Sequence, residues 1–251
     1  MKPAILRVAT YNIHKGFSHF NRRMMVHELR DHLRLLGADI VFLQEVLGLN
    51  ERHAERFGDW PAEPQYEFLA HSVWKDYAYG RNAIYDHGHH GNAILSRYPI
   101  ITARNEDIST HAFERRGLLH CEIELPGAAQ PLHCVCVHLA LNERGRRRQI
   151  GALIRRMHRL VPDGAPAIVA GDFNDWRNLA GNRLADTLGL KEAFRDQRGR
   201  PARSYPSAFP VLRLDRIYVR GFAVQQAEVH HGFPWSRISD HAALSARLRF
   251  E

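Results

Sequence analysis

Hydrophobic residues along the chain form short runs of two kinds, alternating and helically spaced, and several of these runs stop at a polar residue. Residues 5–11 alternate and are rich in β-branched side chains, which predicts a strand that ends at Asn12. Apolar residues between 26 and 36 follow helical spacing, and a glycine ends that helix. Residues 39–45 are a mostly apolar run too short for a helix, which indicates a buried strand with Glu45 at its end.

The second half of the chain repeats this plan. Residues 132–137 predict a strand ending at His138, and a helix with one apolar stripe follows. Residues 166–171 predict the next strand, which delivers Asp172 and Asn174. A strand, helix and strand with polar ends thus occur twice, which suggests two similar layers that face each other.

The remaining segments predict a short helix and a series of strands. Where strands follow one another without helices, antiparallel pairing is expected. No linker, low-complexity run or change of composition divides the chain, so residues 1–251 are predicted to form a single domain. The short helix is predicted at 51–57, and the strands at 66–71, 91–97, 100–108, 117–125, 212–219, 226–230 and 243–250.

Composition narrows the class of protein. The chain has 251 residues, 45% hydrophobic and 25% charged, which is typical of a globular protein with one sizeable core. No apolar run reaches the roughly 18 residues of a membrane span, and the amino-terminal apolar stretch is too short for a secretory signal, so a cytoplasmic location is predicted. The three cysteines do not form a disulfide framework. Cys134 and Cys136 lie in an apolar run and lack the spacing of a zinc site, which favours buried thiols.

The net charge of +8 indicates a surface that attracts polyanions, such as nucleic acid or an anionic lipid surface. Seven arginines lie on the polar side of the helix that follows His138. They form either an ordinary solvated face or a surface that binds a polyanion, and the sequence does not choose between these. The arginines are Arg144, Arg146, Arg147, Arg148, Arg155, Arg156 and Arg159.

Polar residues at the strand ends define candidate chemistry. Glu45, Asp240 and Asn12 offer the hard oxygen ligands that Mg²⁺ or Mn²⁺ prefers. Histidines can donate hydrogen bonds or transfer protons near neutral pH, particularly where a carboxylate such as Asp215 fixes the ring. A metal, a base and hydrogen-bond donors are what hydrolysis of a phosphate ester needs. Each residue alone has a plainer explanation, and Gly-Asp-x-Asn at 171–174 is also a common turn sequence.

These segments resemble, in order, the motifs of the endonuclease/exonuclease/phosphatase superfamily typified by deoxyribonuclease I. The resemblance extends from about residue 5 to residue 249. It implies a four-layered α/β sandwich, in which two mixed β-sheets pack face to face with helices outside and the active site lies at their rim. The segments are Thr10-Tyr11-Asn12-Ile13, Leu43-Gln44-Glu45, Gly91-Asn92-Ala93-Ile94-Leu95-Ser96, Val137-His138-Leu139, Gly171-Asp172-Phe173-Asn174, Leu214-Asp215-Arg216-Ile217 and Ser239-Asp240-His241.

The resemblance also implies roles for individual residues. Glu45 would be the main metal ligand, with Asn12 nearby and Asp240 a further ligand. His14 stands where repair nucleases often have an acidic residue, which leaves the choice between one and two metals open. Arg116 would correspond to an arginine that contacts phosphate in several members.

The catalytic residues implied by the resemblance are five. Asp172 would orient or deprotonate the attacking water, and Asn174 would hold that water or the phosphate. His241 would contact a phosphoryl oxygen. His138 would bind phosphate or protonate the leaving group, with Asp215 behind it.

The family does not fix the substrate. A Mg²⁺-dependent nuclease acting on DNA or RNA is the leading hypothesis, and a phosphatase or phospholipase-like diesterase acting on a small-molecule or lipid phosphate is the alternative. An inactive binding module that keeps the fold is a third. Residues 79–90 are predicted to be either a substrate-recognition loop or an exposed loop, and a zinc site formed by His87, His89 and His90 is a further hypothesis.

Overall fold

The computed structural model describes residues 5–19, 22–111 and 114–251. Residues 1–4, 20–21 and 112–113, which the predicted domain 1–251 includes, lie outside the described residues. The strands are β1 (Leu6–Asn12), β2 (Ile40–Asn50), β3 (Asp76–Tyr85), β4 (Gly88–Ser96), β5 (Ile100–Asp107), β6 (Gly117–Ile123), β7 (Leu132–His138), β8 (Ala167–Asp172), β9 (Lys191–Glu192), β10 (Asp215–Arg220), β11 (Phe222–His230) and β12 (Ala243–Phe250). The helices are α1 (Val26–Leu35), α2 (Glu51–Arg56), α3 (Gln65–Ala70), α4 (Glu143–Leu160), α5 (Leu179–Leu188) and α6 (Ala193–Arg198).

The strands form two mixed six-stranded sheets. The first has the order β11-β12-β1-β2-β4-β3, and the second has the order β5-β6-β7-β8-β10-β9. Each sheet is centred on one parallel pair, β1 with β2 in the first and β7 with β8 in the second, while the other pairings are antiparallel. The predicted repeat of strand, helix and strand is therefore confirmed. It places the carboxyl ends of all four central strands at the same end of the molecule.

Three hydrophobic clusters define four layers. The central cluster joins the inner faces of both sheets, with Phe42 and Ile94 from the first sheet and Cys136 and Ile217 from the second. A second cluster packs α1 and α3 on the outer face of the first sheet, and a third packs α4 and α5 on the outer face of the second. The predicted four-layered α/β sandwich is confirmed. Since α1 and α4 are amphipathic crossover helices, each covers its sheet with one apolar stripe.

One predicted strand is wrong. Residues 66–71 were predicted to be extended because of their aromatic and apolar side chains, but residues 65–70 form helix α3. Pro64 precedes the helix, a position that tolerates its missing amide hydrogen. Gln65, Phe68 and Leu69 are buried at helical spacing, with Phe68 and Leu69 packed against the first sheet. Tertiary contact therefore overrides the local β-propensity.

Residues 79–90 are not a loop either. They belong to the hairpin of β3 and β4, whose strands pair from Asp76 opposite Ser96 to Tyr85 opposite Gly88. The hairpin forms the edge of the first sheet and reaches the end of the molecule where the carboxyl ends of β1 and β2 lie. A wall of regular structure therefore stands where an exposed loop was predicted.

The arginine-rich face of α4 divides into two groups. Arg144, Arg147, Arg148, Arg155 and Arg159 are exposed, in line with a solvated face. Arg146 is instead buried, and its guanidinium donates to the carbonyl oxygens of Ala140 and Leu141. Arg156 is largely buried and pairs with Glu106.

The three cysteines are buried thiols, as predicted, and none is in a disulfide. Cys136 donates its Sγ hydrogen to the carbonyl oxygen of Leu43 on the facing sheet. Among the described residues, no helix is both long and apolar enough to cross a membrane.

Candidate active site

Strand alternation carries polar side chains from the inner faces of the sheets to their shared rim. In β7, Cys134 and Cys136 face the central cluster, so the next residue of the same alternation is His138. The same continuation of the inner face produces Asn12 on β1, Asp172 on β8 and Asp215 on β10. His138, Asp172 and Asp215 occupy directly paired positions of three neighbouring strands.

Glu45 reaches the rim through a β-bulge. Leu43 pairs with Ala93, and Val46 then pairs with Gly91, so Gln44 and Glu45 together oppose one residue of β4. Leu43 and Val46 both pack on the outer cluster, which a regular strand with its period of two would not allow. Glu45 itself has a left-handed φ of 56°. A residue this strained persists only where surrounding structure fixes it, and such residues cluster at functional sites.

Asp172 is the centre of the hydrogen-bond network. Its Oδ2 accepts from Nδ2 of Asn12 at 3.2 Å and lies 3.4 Å from Nε2 of His138 and 3.8 Å from Nε2 of His241. Its Oδ1 accepts from the backbone N–H of Asn174 at 2.9 Å. Since Asn12 belongs to the first sheet and Asp172 to the second, one carboxylate joins the two halves of the fold.

The structure pairs Asp215 with His241, and not with His138 as predicted. Nδ1 of His241 lies 2.9 Å from Oδ2 of Asp215, and neither side chain is more than 8% exposed. Ser204 holds this arrangement together, because its Oγ accepts from the backbone N–H of Asp215 while its carbonyl oxygen accepts from the backbone N–H of Ala242. The pairing depends on this loop contact, which the sequence pattern does not reveal.

These contacts give His241 and His138 different charge states near neutral pH. Burial alone lowers the pKa of His241, but the carboxylates of Asp215 and Asp172 outweigh it and raise the pKa to about 10. Burial, together with the nearby Arg116 and His241, holds the pKa of His138 well below its ordinary value. Burial raises the pKa of Asp172 to about 6, although the charge of His241 opposes this. Near neutral pH the site therefore holds an imidazolium at 241, a neutral imidazole at 138 and a weakly basic carboxylate at 172.

Asn174 and Arg116 meet at one carbonyl oxygen. Nδ2 of Asn174 donates to the carbonyl oxygen of Leu139 at 2.9 Å, and Nε of Arg116 donates to the same oxygen at 3.2 Å. Arg116 also pairs with Glu114, whose Oε1 lies 3.0 Å from Nη2. The position of Arg116 beside His138 fits the predicted contact with phosphate, which stays a prediction.

Glu45 has the environment of a cation ligand. Its Oε1 lies 3.4 Å from Nδ2 of Asn12 and its Oε2 lies 3.8 Å from Nζ of Lys15. Burial alone would raise the pKa of Glu45, but the charges of Lys15 and His14 outweigh it and keep the pKa below the ordinary value. The side chain is 21% exposed, so a hard, ionised oxygen faces the solvent at the rim. An ionised carboxylate oxygen of this kind is a ligand that Mg²⁺ or Mn²⁺ prefers.

Asp172, Asp215 and His241 form a second group whose ligating atoms all lie within 4.8 Å of one another. It is less suited to a cation, because His241 is positively charged and is bonded to Asp215 through Nδ1. Oδ2 of Asp172 is likewise occupied, by Asn12 and the two histidines. We therefore favour Glu45 over this group as the place for a metal.

A family model decides the classification. The model described as endonuclease/exonuclease/phosphatase family matches residues 9–241 of the chain. The chain belongs to the endonuclease/exonuclease/phosphatase family. The resemblance seen in the sequence motifs is thereby confirmed, and the fold has the expected deoxyribonuclease I-like architecture.

The chain is also similar to a curated protein over most of its length and to solved structures in its fold. The chain is 50% identical over 242 residues to the uncharacterized protein YbhP of Escherichia coli K12, covering 96% of this chain and 95% of that protein. It is similar to the crystal structure of an endonuclease/exonuclease/phosphatase from Beutenbergia cavernae, with a TM-score of 0.76, 20% identity and coverage of 99% of this chain and 72% of that one. The mannosyl-6-phosphatase Bt3783 of Bacteroides thetaiotaomicron matches with a TM-score of 0.72, 17% identity and coverage of 98% of this chain and 100% of that one.

Asp240, which was predicted to be a further metal ligand, lies near two histidines. Its Oδ1 is 3.9 Å from Nδ1 of His14, and its Oδ2 is 4.0 Å from Nδ1 of His19. The preceding Ser239 donates its hydroxyl to the carbonyl oxygen of Asn12, which fixes this loop against β1. A ligand role for Asp240 stays a prediction.

The histidines of the hairpin do not converge on a zinc site. His89 and His90 are successive strand residues, whose side chains point to opposite faces. His89 is hydrogen-bonded through Nδ1 with the hydroxyl of Tyr79. Within the described parts of the chain, no group of three ligating side chains includes His87, His89 or His90.

The sequence interpretation missed Lys15 and Tyr205 as site residues, and it considered His90 only as part of segment 79–90 and of the zinc hypothesis. Lys15 belongs to a basic loop whose charge was visible, but its contact with Glu45 depends on the left-handed turn at 14–16. His90 lies close enough to Glu45 and Lys15 for their charges to act on its pKa. The ring of Tyr205 packs 5.1 Å from the ring of His241, a contact that no local pattern signals.

Proposed function

We propose that this protein is a divalent-metal-dependent phosphodiester hydrolase that uses Mg²⁺ or Mn²⁺ and cleaves its substrate by attack of water. The observation that carries the proposal is the network around Asp172, which brings Asn12, His138 and His241 from three distant segments to one carboxylate. Bringing polar groups from distant parts of a chain to one buried carboxylate costs desolvation energy. Such an arrangement is better explained by a functional site than by a contribution to stability.

Glu45 and Asn12 are proposed to hold the metal, with Asp240 as a further ligand. Such an ion supplies positive charge to the phosphoryl oxygens and orients the phosphate. The Lys15 ammonium, 3.8 Å from Glu45, adds positive charge to the same side of the site.

Asp172 is proposed to orient the attacking water and accept its proton. Its pKa of about 6 leaves it ionised at neutral pH and basic enough for this task. The N–H of Asn174 and Nδ2 of Asn12 fix its two oxygens in place. Asn174 is proposed to hold the same water or the phosphate.

The two histidines are proposed to stabilise charge on the phosphate. His241, held as an imidazolium by Asp215, donates to a phosphoryl oxygen that becomes more negative in the transition state. Because its pKa is low, His138 is a neutral imidazole near neutral pH and is not charged for transfer of a proton to the leaving group. This favours the other role expected for it, donation of a hydrogen bond to phosphate. Arg116 adds positive charge beside His138.

For the substrate, we propose nucleic acid, so that the protein acts as a nuclease. The net charge of +8 supports a polyanionic substrate. A nuclease that contacts several phosphates should lose activity steeply between about 50 mM and about 200 mM salt, whereas a hydrolase of small phosphates should not.

A lipid phosphate is the second candidate, because most of the exposed large apolar side chains lie at the end of the molecule that holds the site. Side chains of this kind around a basic site are typical of proteins that bind at an anionic lipid surface. They are Leu49, Ile84, Tyr85, Leu141, Trp176, Leu179, Phe209, Val211, Leu212 and Phe233.

A substrate panel tests the proposal. Plasmid and single-stranded DNA, RNA, anionic phospholipid vesicles and bis(p-nitrophenyl) phosphate are incubated with the protein in Mg²⁺, Mn²⁺ or a chelator. His241→Ala serves as the inactive control. Hydrolysis of at least one diester that needs the metal and is lost in the control supports the proposal. If a lipid phosphate is cleaved and no nucleic acid is, the nuclease is rejected in favour of the second candidate. If no substrate is hydrolysed, both candidates are rejected.

A further inference from the structure

A cavity of about 600 Å³ lies next to Lys15, the residue that contacts Glu45. Its walls are the loop after β1, helix α2, the end of β2 and the hairpin of β3 and β4. Lys15 lines the cavity and at the same time lies 3.8 Å from Oε2 of Glu45, so the cavity and the proposed metal site share a wall. A substrate whose scissile phosphate lies at Glu45 would extend a neighbouring group into this space.

The cavity has three cationic side chains, and two of them, both arginines, form no salt bridge with any described carboxylate. Lys15, Arg52 and Arg56 line it, and no aspartate or glutamate is among its lining residues. In the described ranges, no salt bridge joins Arg52 or Arg56 to a carboxylate. Arginines without a carboxylate partner at a concave surface favour phosphate, whose oxygens match the planar guanidinium.

The walls are held in place by buried amides. Gln65, which is 1% exposed, donates from Nε2 to the carbonyl oxygen of Lys15 at 2.8 Å and accepts at Oε1 from the backbone N–H of Leu47 at 2.9 Å. Asn50 caps α2, because its Oδ1 accepts from the backbone N–H of His53 at 3.0 Å. The cap holds the start of the helix that carries Arg52 and Arg56 to the cavity.

The hairpin wall adds polar and aromatic groups. Nδ1 of His90 is buried without a hydrogen-bond partner among the described residues, and a buried polar atom left unpaired is costly. The ring of Tyr85 lies 5.9 Å from the ring of His90 and faces the same cavity. The rings of His90 and Tyr85 thus form the hairpin side of the cavity.

We infer that this cavity binds a second phosphoryl group of the substrate, a few bonds away from the scissile phosphate. The inference rests on the proposed function, and it predicts that compounds with at least two phosphate groups are preferred as substrates. Such a group is either the next phosphate of a nucleotide strand or a phosphate on a glycerol-based compound. Both kinds of phosphate group, with one or two negative charges, present similar oxygens to Lys15, Arg52 and Arg56.

Matched substrates test the inference. The p-nitrophenyl ester of thymidine 5′-phosphate is compared with the same ester carrying an additional 3′-phosphate, and a glycerol phosphate pair with and without a second phosphate forms the other arm. The wild-type protein is expected to show a lower KM for the bisphosphate of at least one pair. In Arg52→Ala/Arg56→Ala, the KM of that bisphosphate rises at least about tenfold, since charge-assisted contacts are lost. Its kcat and the KM of the monophosphate change less than about twofold.

The double variant Arg148→Ala/Arg155→Ala is the matched control. It removes the same charge from exposed positions on α4, and it should leave all four esters unaffected. The pair that shows the preference identifies the source of the second phosphate. A wild-type protein that does not distinguish either pair overturns the inference, as does a cavity variant that weakens both members of a pair equally.

Hydrolysis and binding measurements distinguish a failure of the proposed function from a failure of this inference. If Mg²⁺ and Mn²⁺ support hydrolysis of none of the esters, the proposed hydrolase is rejected. Binding of thymidine 3′,5′-bisphosphate is then measured by calorimetry. Binding that is weakened at least tenfold in the cavity variant, and not in the α4 control, supports the phosphate-binding cavity, whereas equal or undetectable binding in all three proteins overturns it.

Discussion

Asp215→Asn tests whether a buried carboxylate keeps His241 charged. The two side chains are 2.9 Å apart, and Asp215 is fully buried. Although burial alone lowers it, the pKa of His241 is raised from 6.5 to about 10, with Asp215 as the largest of the charges responsible. At about 1.36 kcal/mol per pKa unit, this difference favours the imidazolium by about 5 kcal/mol.

Asparagine has nearly the same shape as aspartate but no charge. We expect the pKa of His241 in Asp215→Asn to fall below about 8, because the largest stabilising charge is lost. At pH 8.5 the ring is then neutral, and kcat should fall at least about 100-fold, a typical cost of losing one preorganised charge donor. The pKa is read from the ring nitrogens by NMR between pH 5 and pH 10.5, and kcat is measured at pH 8.5.

Glu192→Gln is the matched control, since Glu192 is also buried but caps α6 away from the site. It should change neither the pKa of His241 nor kcat. A wild-type His241 that titrates near 6.5 would refute the electrostatic argument. So would an Asp215→Asn protein with an unchanged pKa and unchanged kcat.

Two further predictions concern stability, and both are measured by urea unfolding. Gly171 has a φ of 147°, and a Cβ there would lie 1.9 Å from the carbonyl oxygen of Val137, so Gly171→Ala should lower the free energy of unfolding by at least about 3 kcal/mol. At Gly189 a Cβ would meet nothing within 4 Å, so Gly189→Ala should lower the free energy of unfolding by only about 1 kcal/mol, the cost of a left-handed φ in alanine. Equal losses in the two variants would contradict this. Burial, followed by the charge of His133, lowers the pKa of His120 to about 4. Because the unfolded chain then binds a proton that the folded chain does not, the free energy of unfolding should fall as the pH drops from 6.5 towards 4. His120→Gln should reduce the loss of this free energy between pH 7 and pH 4.5 by about 2 kcal/mol. Identical losses in the variant and the wild type would contradict this.

The residues at the rim were predictable because one local rule produces them. A strand that alternates into the core carries its last inner-facing residue to the rim, and this rule places Asn12, His138, Asp172 and Asp215. The sheet arrangement was also predictable, since two strand-helix-strand units with polar ends specify two parallel pairs. The motif order supplied the remaining information.

Contacts between distant segments were not predictable in the same way. Asp215 and His241 are joined through Ser204, and the predicted partner of Asp215 was His138. Helix α3 was mistaken for a strand because its fold depends on Gln65, whose hydrogen bonds reach Lys15 and Leu47. Residues 79–90 of the hairpin were mistaken for a loop, although the remainder of β4 was predicted to be a strand. Helices α5 and α6 were not predicted at all.

The most direct test of the proposed hydrolase is the metal-dependent turnover of Glu45→Gln and Asp172→Asn. The account predicts that wild-type protein hydrolyses a diester in Mg²⁺ or Mn²⁺, and that each variant, folded and with a melting temperature within a few degrees of wild type, loses at least about 100-fold in kcat. Glu45→Gln should also bind Mn²⁺ more weakly in calorimetry. Unchanged turnover in either folded variant would contradict the assignment of the site.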